Sequence, residues 1–356
     1  MDTRPRRRST LTFAGLLTVL LGLVAPAVAQ ERPEPAGTPL PEYARVYHVP
    51  AEGGVWQRSI NGLPNIMLTG YWPPTNEMLR QFSPNLAQNP GGWIGENWES
   101  RGYNIYAFFP EFPQGLGRGE GDLEVDYQDT SADWWPFTDE LQPLANITFG
   151  RALPGTKWEI EWKARNYAYS LWYDDYLSPW RPTPAPPDGS MPPGAARYCT
   201  LPVWEIIDAL LASNLNVWPI YDEVGGAGSF LCEFIAYHAM WYHDLHVDPN
   251  DPLRNLAAGH IHVGSNVTLE DAIAATEITV RVLTTYLDLQ RKVAGDLDCD
   301  GDVDFDDINP FVLALSDPIT YQQVYPGCPL VNADVDGNGV VDFDDVNPFV
   351  VLLSGG

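Results

Sequence analysis

Two short stretches carry residue types that can perform acyl transfer. The first is Ala227-Gly228-Ser229-Phe230-Leu231-Cys232-Glu233-Phe234, where small residues lead into a cysteine. That cysteine opens an apolar segment, Phe234, Ile235, Tyr237, Met240 and Trp241, at helical spacing. A thiol in the first turn of a helix lies near unpaired backbone N–H groups and the positive end of the helix dipole. Both favour the thiolate, which is the nucleophilic form. The second stretch is Gly259-His260-Ile261-His262-Val263. In a strand the two imidazoles share one face and Ile261 takes the other. His262 is nearer the strand's carboxyl end, where α/β sheets bind ligands, and is the expected base. A cysteine with a histidine base is the minimal equipment of a thiol hydrolase.

An α/β sheet is needed to bring the two stretches together, and the chain predicts one. Short apolar runs at Ile66–Leu68, Tyr103–Phe109, Leu144–Phe149, Trp158–Ala164, Leu215–Tyr221 and His260–Val263 read as strands. Helical patterns fall at Val203–Ala212, at the segment opened by Cys232, and after Thr268, where Leu269, Ile273, Thr276, Val280, Leu283 and Leu287 recur at helical spacing. Strands alternating with helices predict an open α/β sheet. Between them lie long loops rich in Trp and Pro, such as Asp188–Gly194, which the aromatic residues are expected to pin.

The chain ends outside this sheet are of different composition. Arg4, Arg6, Arg7 and Arg8 precede the apolar run Leu11–Val24 and the small-x-small site Ala27-Val28-Ala29. Residues 1–29 therefore read as a secretory signal, with the Arg-Arg pair open to the twin-arginine route. Export places the mature chain outside the cell, on its surface or in a periplasm, and no later segment qualifies as a membrane span. Residues 30–62 read as an extension and linker, Pro- and Glu-rich at their start. The net charge of −27 argues against a nucleic-acid partner, which needs basic patches. Four cysteines in an exported chain permit disulfides. Cys299 and Cys328 both lie in the acidic tail and can pair there, leaving Cys199 and Cys232. A bridge between those two would remove the nucleophile.

The tail, residues 294–356, holds thirteen Asp from Gly295 onward and no Lys, Arg, Glu or His. These Asp residues recur. Asp296, Asp298, Asp300, Gly301, Asp302 and Asp307 are matched 38 residues later by Asp334, Asp336, Asn338, Gly339, Val340 and Asp345. Calcium takes six to eight oxygens, and a twelve-residue loop supplies them from positions 1, 3, 5, 7 (a backbone carbonyl) and 12, with Gly at 6 for the turn. Both copies meet that pattern, with Asp rather than Glu at position 12. They predict two Ca2+ sites, held by Asp296, Asp298, Asp300, Asp302 and Asp307 and by Asp334, Asp336, Asn338, Val340 and Asp345. Each copy precedes an apolar helical segment with Pro310 or Pro348 in its first turn.

These repeats resemble a dockerin-type module of paired half EF-hands, with wider spacing and an inserted Cys328. The resemblance implies a small all-α calcium-dependent unit and a cohesin-like or cell-surface docking partner. Residues 63–291 resemble pyroglutamyl peptidase I. The segments that carry this, in order, are Leu68-Thr69-Gly70-Tyr71-Trp72-Pro73, Pro154-Gly155 with Ile160-Glu161 and Asn166, Arg197-Tyr198-Cys199-Thr200-Leu201-Pro202, Ala227–Cys232 and Ile261-His262-Val263. The resemblance implies a three-layer open sheet with helices on both faces. It also implies hydrolysis of an N-terminal pyroglutamyl or related blocked amide in a peptide substrate. Cys232 would be the nucleophile, His262 the base and Glu161 the group that orients the imidazole, with no cofactor for catalysis. Tyr71, Pro74, Arg151, Phe230 and Leu231 would line the substrate. The family's second aromatic wall is Pro74 here, and its Asn after the nucleophile is Glu233, a charge expected to oppose a thiolate.

Two other readings use the same residues. His243, Asp244, His246, His260 and His262 are metal-ligand types and would suit a metal-dependent hydrolase. The altered Tyr71–Asn76 loop and Glu233 would suit a non-catalytic binding protein on a peptidase-like scaffold.

Overall fold

The fold is given by a computed structural model, which describes residues 61–112, 121–124, 126–168, 186–228 and 230–354. The signal and most of the linker reading, on residues 1–60, lie outside the described residues. A six-stranded sheet holds β1 (Asn65–Gly70), β2 (Asn104–Phe108), β3 (Ala145–Ala152), β4 (Lys157–Glu161), β7 (Trp218–Asp222) and β8 (Ala257–Gly264). Its order is β2-β1-β3-β8-β4-β7. The pairings β1–β2, β1–β3, β3–β8 and β4–β7 are parallel, and β4–β8 is antiparallel. β5 (Lys163–Arg165) and β6 (Ala196–Tyr198) form a separate antiparallel ribbon.

Alternation along the strands feeds two cores, one on each face of the sheet. Ile66 and Leu68, Ile105 and Ala107, Ile147 and Phe149, and Ile261 and Val263 pack with α2 (Val203–Ala212) and α4 (Leu269–Arg291). Met67, Tyr106 and Phe108 face the other way, onto α1 (Tyr127–Leu141) and α3 (Leu231–Leu245). The arrangement is a mixed α/β structure of three layers, with a mostly parallel central sheet. Thr268 caps α4 by accepting from the Asp271 N–H at 3.1 Å.

Several expectations are corrected. Trp158–Ala164 is not one strand: after Glu161 the chain leaves the sheet at Trp162, whose indole donates to the Gly225 carbonyl, and β5 joins the ribbon. The strand expected from Leu215 begins at Trp218. The strand around the histidines starts earlier, at Ala257, because its first residues are small rather than strongly β-forming. A Cβ at Gly259 would lie 2.5 Å from Leu201 Cδ1 and 2.8 Å from Cys199 Sγ, so that position must stay bare. The helix α1 has no counterpart in the sequence reading. Pro136 inside it and acidic residues at Asp129, Asp133 and Asp139 mask its apolar stripe of Tyr127, Trp134, Phe137 and Leu141.

The acidic tail forms α5 (Ile308–Ser316), α6 (Pro318–Val324) and α7 (Val346–Leu353) around its own apolar cluster of Leu297, Phe311, Tyr321, Cys328, Ala333 and Phe349. The repeat-related Phe311 and Phe349 stack with centroids 4.0 Å apart. A Cys299–Cys328 disulfide closes the cluster.

Candidate active site

The amino end of α3 lies over the carboxyl ends of β3 and β8. Phe230 is its N-cap, and an aromatic side chain has no oxygen with which to cap a helix. The first-turn N–H groups, that of Cys232 among them, have no intrahelical acceptor. Gly150 of β3 makes room beneath: a Cβ there would stand 2.6 Å from Cys232 Sγ and 2.8 Å from His260 Nε2. The parallel register sets Thr148 beside His260 and Gly150 beside His262. Cys232 Sγ and one ring nitrogen from each histidine lie within 4.8 Å of one another.

His262 and Glu161 come from antiparallel neighbours. The Nδ1 of His262 meets Glu161 Oε1 at 2.6 Å, which turns its Nε2 edge away from the carboxylate. Burial opposes charge on this imidazole, but the adjacent Cys232 sulfur and then Glu161 outweigh it and push its pKa up to about 10. Burial raises the Glu161 carboxyl, and the bond from His262 pulls it back. His262 thus keeps its proton between the Cys232 sulfur on one side and the Glu161 carboxyl group on the other. His260 is the opposite case: burial, with the charge of His262 added, drives its pKa well below the ordinary value.

The structure brings Cys232, His262 and Glu161 together. It separates or buries several residues expected at the substrate. Tyr71 is fully buried against α1 and α3, with its hydroxyl bonded to Thr130. Gly70 is bare because the chain turns back at Thr75, whose carbonyl a Cβ would strike. Pro74 follows a cis bond in that turn and is partly exposed. Arg151 is exposed and follows Gly150, so alternation along β3 sets it on the opposite face from the thiol. Leu231 packs in the α3 core, with Phe230 beside it.

Glu233 is not a free charge beside the sulfur. Its carboxylate is fully buried and accepts from the Arg165 backbone N–H (2.5 Å), Nε (3.0 Å) and Nη2 (2.9 Å). The same Nη2 donates to the Gly228 carbonyl at 2.6 Å, tying the loop before α3 to β5. Cys199 and Cys232 are both free thiols, so the bridge that would remove the nucleophile is not formed. Burial pushes the Cys199 thiol up to about 12. Asn166, one residue of the pyroglutamyl-peptidase pattern, is buried and donates to the carbonyls of Asp188 and Met191, pinning the loop at 188–194. Of the metal-hydrolase set only His260 and His262 share a site, whereas His243 bonds to Asn255, His246 to Asp251 and Asp244 to Arg197. Sequence reasoning missed Gly150, Thr148 and Arg165. Only the bare glycine next to a charged residue at the end of an apolar run could have pointed to the first.

The two acidic loops assemble as equivalents. Asp296, Asp298 and Asp307 converge, as do Asp334, Asp336 and Asp345. Asp307 Oδ1 accepts from the Leu297 and Asp298 N–H groups, and Asp345 Oδ1 from those of Val335 and Asp336. Asp296 Oδ1 and Asp334 Oδ1 are buried without a hydrogen-bond partner. Orphaned buried carboxylate oxygens in an all-oxygen set suit a hard cation. Asp300, Asp302, Asn338 and Val340 sit on the exposed rim of the loops. The loops differ in one respect. Lys292 Nζ donates to Asp334 Oδ2 at 2.8 Å, and the Asp334 carboxyl is held below its usual range, its burial outweighed by that lysine. Burial and neighbouring carboxylates raise Asp296 instead.

No protein-family model and no curated protein matches the chain. Among solved structures, a pyrrolidone carboxyl peptidase from Thermococcus litoralis is similar at 20% identity, over 64% of this chain and 97% of that one, with a TM-score of 0.46. A mutant pyrrolidone carboxyl peptidase from Pyrococcus furiosus is similar at 16% identity, over 63% of this chain and 99% of that one, also with a TM-score of 0.46. At such identity and score neither activity nor substrate passes to this chain, and the chemistry rests on its own side chains.

Proposed function

We propose that the chain is an exported thiol hydrolase of the exopeptidase type, cleaving an N-terminal pyroglutamyl or related blocked amide. The observation that carries this is the meeting of Cys232, His262 and Glu161 beside an uncapped helix start. In the first step the Cys232 sulfur attacks the substrate carbonyl carbon. First-turn N–H groups of α3 stabilise the oxyanion. The C–N bond breaks as His262 passes its Nε2 proton to the leaving amine, and a thioester remains. Water then attacks the thioester, His262 takes one water proton, and the C–S bond breaks to free the acid and the Cys232 thiolate, with the proton left on His262. Glu161 holds the imidazole in one orientation and stabilises its charged form. In the acidic module Asp296, Asp298 and Asp307, and Asp334, Asp336 and Asp345, would each hold a Ca2+ ion, which would cross-link their carboxylates. The module also serves attachment to a cohesin-like or cell-surface partner through exposed apolar residues, among them Phe305, Val312, Phe343 and Val350.

The test is release of a chromophore from a pyroglutamyl amide under reducing conditions. The wild type should turn over and Cys232→Ala should fall to background. Equal rates in the two proteins would reject the assignment.

A further inference from the structure

His260 has no part in the proposed hydrolysis, yet its ring points at the sulfur. The Thr148 hydroxyl donates its single hydrogen to the Gly259 carbonyl (3.3 Å) and meets His260 Nδ1 at 2.8 Å. Its oxygen is therefore the acceptor of the Nδ1–H, and the lone pair of His260 sits on Nε2. That Nε2 is fully buried and has no hydrogen-bond partner. It faces the gap over Gly150 that Cys232 Sγ also faces. His262 is held in the same way, its Nδ1 bonded to Glu161. Two imidazoles with outer partners on Nδ1, and a thiol beside their other edges, form a soft three-ligand set. Oriented outer partners of this kind are what metal-bound histidines carry.

We propose that Cys232, His260 and His262 bind a thiophilic divalent cation, Zn2+ in chemical class, and that its occupancy blocks the thiol. The binding rests on geometry alone, whereas the blocking of catalysis rests on the thiol-hydrolase reading above. Bonds of about 2.0–2.3 Å put the ligand atoms of a tetrahedral site roughly 3.5 Å apart. The three atoms, within 4.8 Å of one another, reach that spacing by a contraction of about 1 Å. Metal entry sends the His262 Nε2 proton to solvent, and no bond to carbon forms or breaks. The thiolate and both imidazoles then give electron pairs to the ion. The acidic loops, all oxygen, favour a harder ion and are kept full with calcium in any test.

The test is titration of the reduced full chain with Co2+ alone, in buffer saturated with Ca2+. One equivalent should give a thiolate-to-cobalt absorption band in the near ultraviolet, which Zn2+ bleaches. Cys232→Ser should lose the band. His260→Ala should weaken Co2+ binding by more than about a hundredfold, and Thr148→Val, which only frees the ring, by about tenfold. Near-ultraviolet circular dichroism checks that each variant is folded. A reduced wild type without the band, or a folded His260→Ala that binds Co2+ like wild type, overturns the proposal. Turnover of the pyroglutamyl amide without the band removes the metal site and leaves the hydrolase. The band without turnover removes the hydrolase and leaves the metal site.

Discussion

Glu161 fixes which ring nitrogen of His262 faces the sulfur, and after Cys232 it is the second group that raises the imidazole pKa. With Cys232 and Glu161 on either side, the His262 pKa is pushed up to about 10. Because this pKa is raised above the ordinary value of 6.5, the pair's contribution to stability is full below that value and is lost as pH rises through about 10. The proton needed by the leaving amine persists over the same range, so kcat/KM should fall on the alkaline side near pH 10. Glu161→Gln removes one of the two charges that raise the imidazole. Its alkaline limb should move to lower pH, and kcat should fall on the order of a thousandfold. A pH–rate series on both proteins checks this, and an unmoved limb would separate Glu161 from the base. Cys232 and His262 were legible in the sequence because a helix start and a two-residue alternation are local patterns. Glu161 came only through the family resemblance. The closeness of His260 and Gly150 to the sulfur depends on the register between β3 and β8, which lie more than a hundred residues apart and leave no local trace.

At the scale of elements, the latch between β5 and α3 matters most, because it fixes the first turn of α3 and with it Cys232. Glu233 is buried at the first turn of α3, and Arg165 supplies two side-chain bonds and one backbone bond to it. Removing the cation leaves a buried carboxylate with one donor. Arg165→Met should therefore cost about 3 kcal/mol, toward the low end for a buried pair because the arginine is partly in water. Urea unfolding measures that loss. The double variant Arg165→Met/Glu233→Gln should recover part of it, since a neutral amide tolerates burial better than an unpaired charge. The same ion pair explains why the Glu233 position reads as hostile to a thiolate in sequence and is not so in space. Strand and helix existence was readable here wherever one face is apolar, as in β1, β3, α2 and α4. The reading failed at Trp162, where a side-chain bond to Gly225 redirects the chain, and at α1, where Pro136 interrupts the pattern.

Across the whole molecule, the helix that covers the sheet runs directly into the acidic module. Arg291, at the end of α4, donates to the Gly327 carbonyl at 2.8 Å, and the Val293 N–H to Asn332 Oδ1 at 3.0 Å. Gly102, with φ of +78°, meets the same edge so closely that a Cβ would stand 2.1 Å from the Pro326 carbonyl oxygen. Lys292 completes this junction through Asp334, the first residue of the second acidic loop. A cation entering that loop must take the Asp334 carboxylate from the lysine, whereas Asp296 in the first loop has no such competitor among the described residues. The two loops, near-copies in sequence, should therefore bind calcium unequally, the first more tightly. Lys292→Met should raise the affinity of the weaker site by about fivefold, the worth of an ion pair of about 1 kcal/mol, and leave the stronger site unchanged. Calorimetric titration of the chelated full chain resolves the two sites. Calcium should also raise the melting temperature, because it relieves the repulsion among Asp296, Asp298 and Asp307. If the two sites bind equally and the lysine variant changes neither, then the junction does not compete with the metal, and the sheet and the module do not sense each other through Lys292.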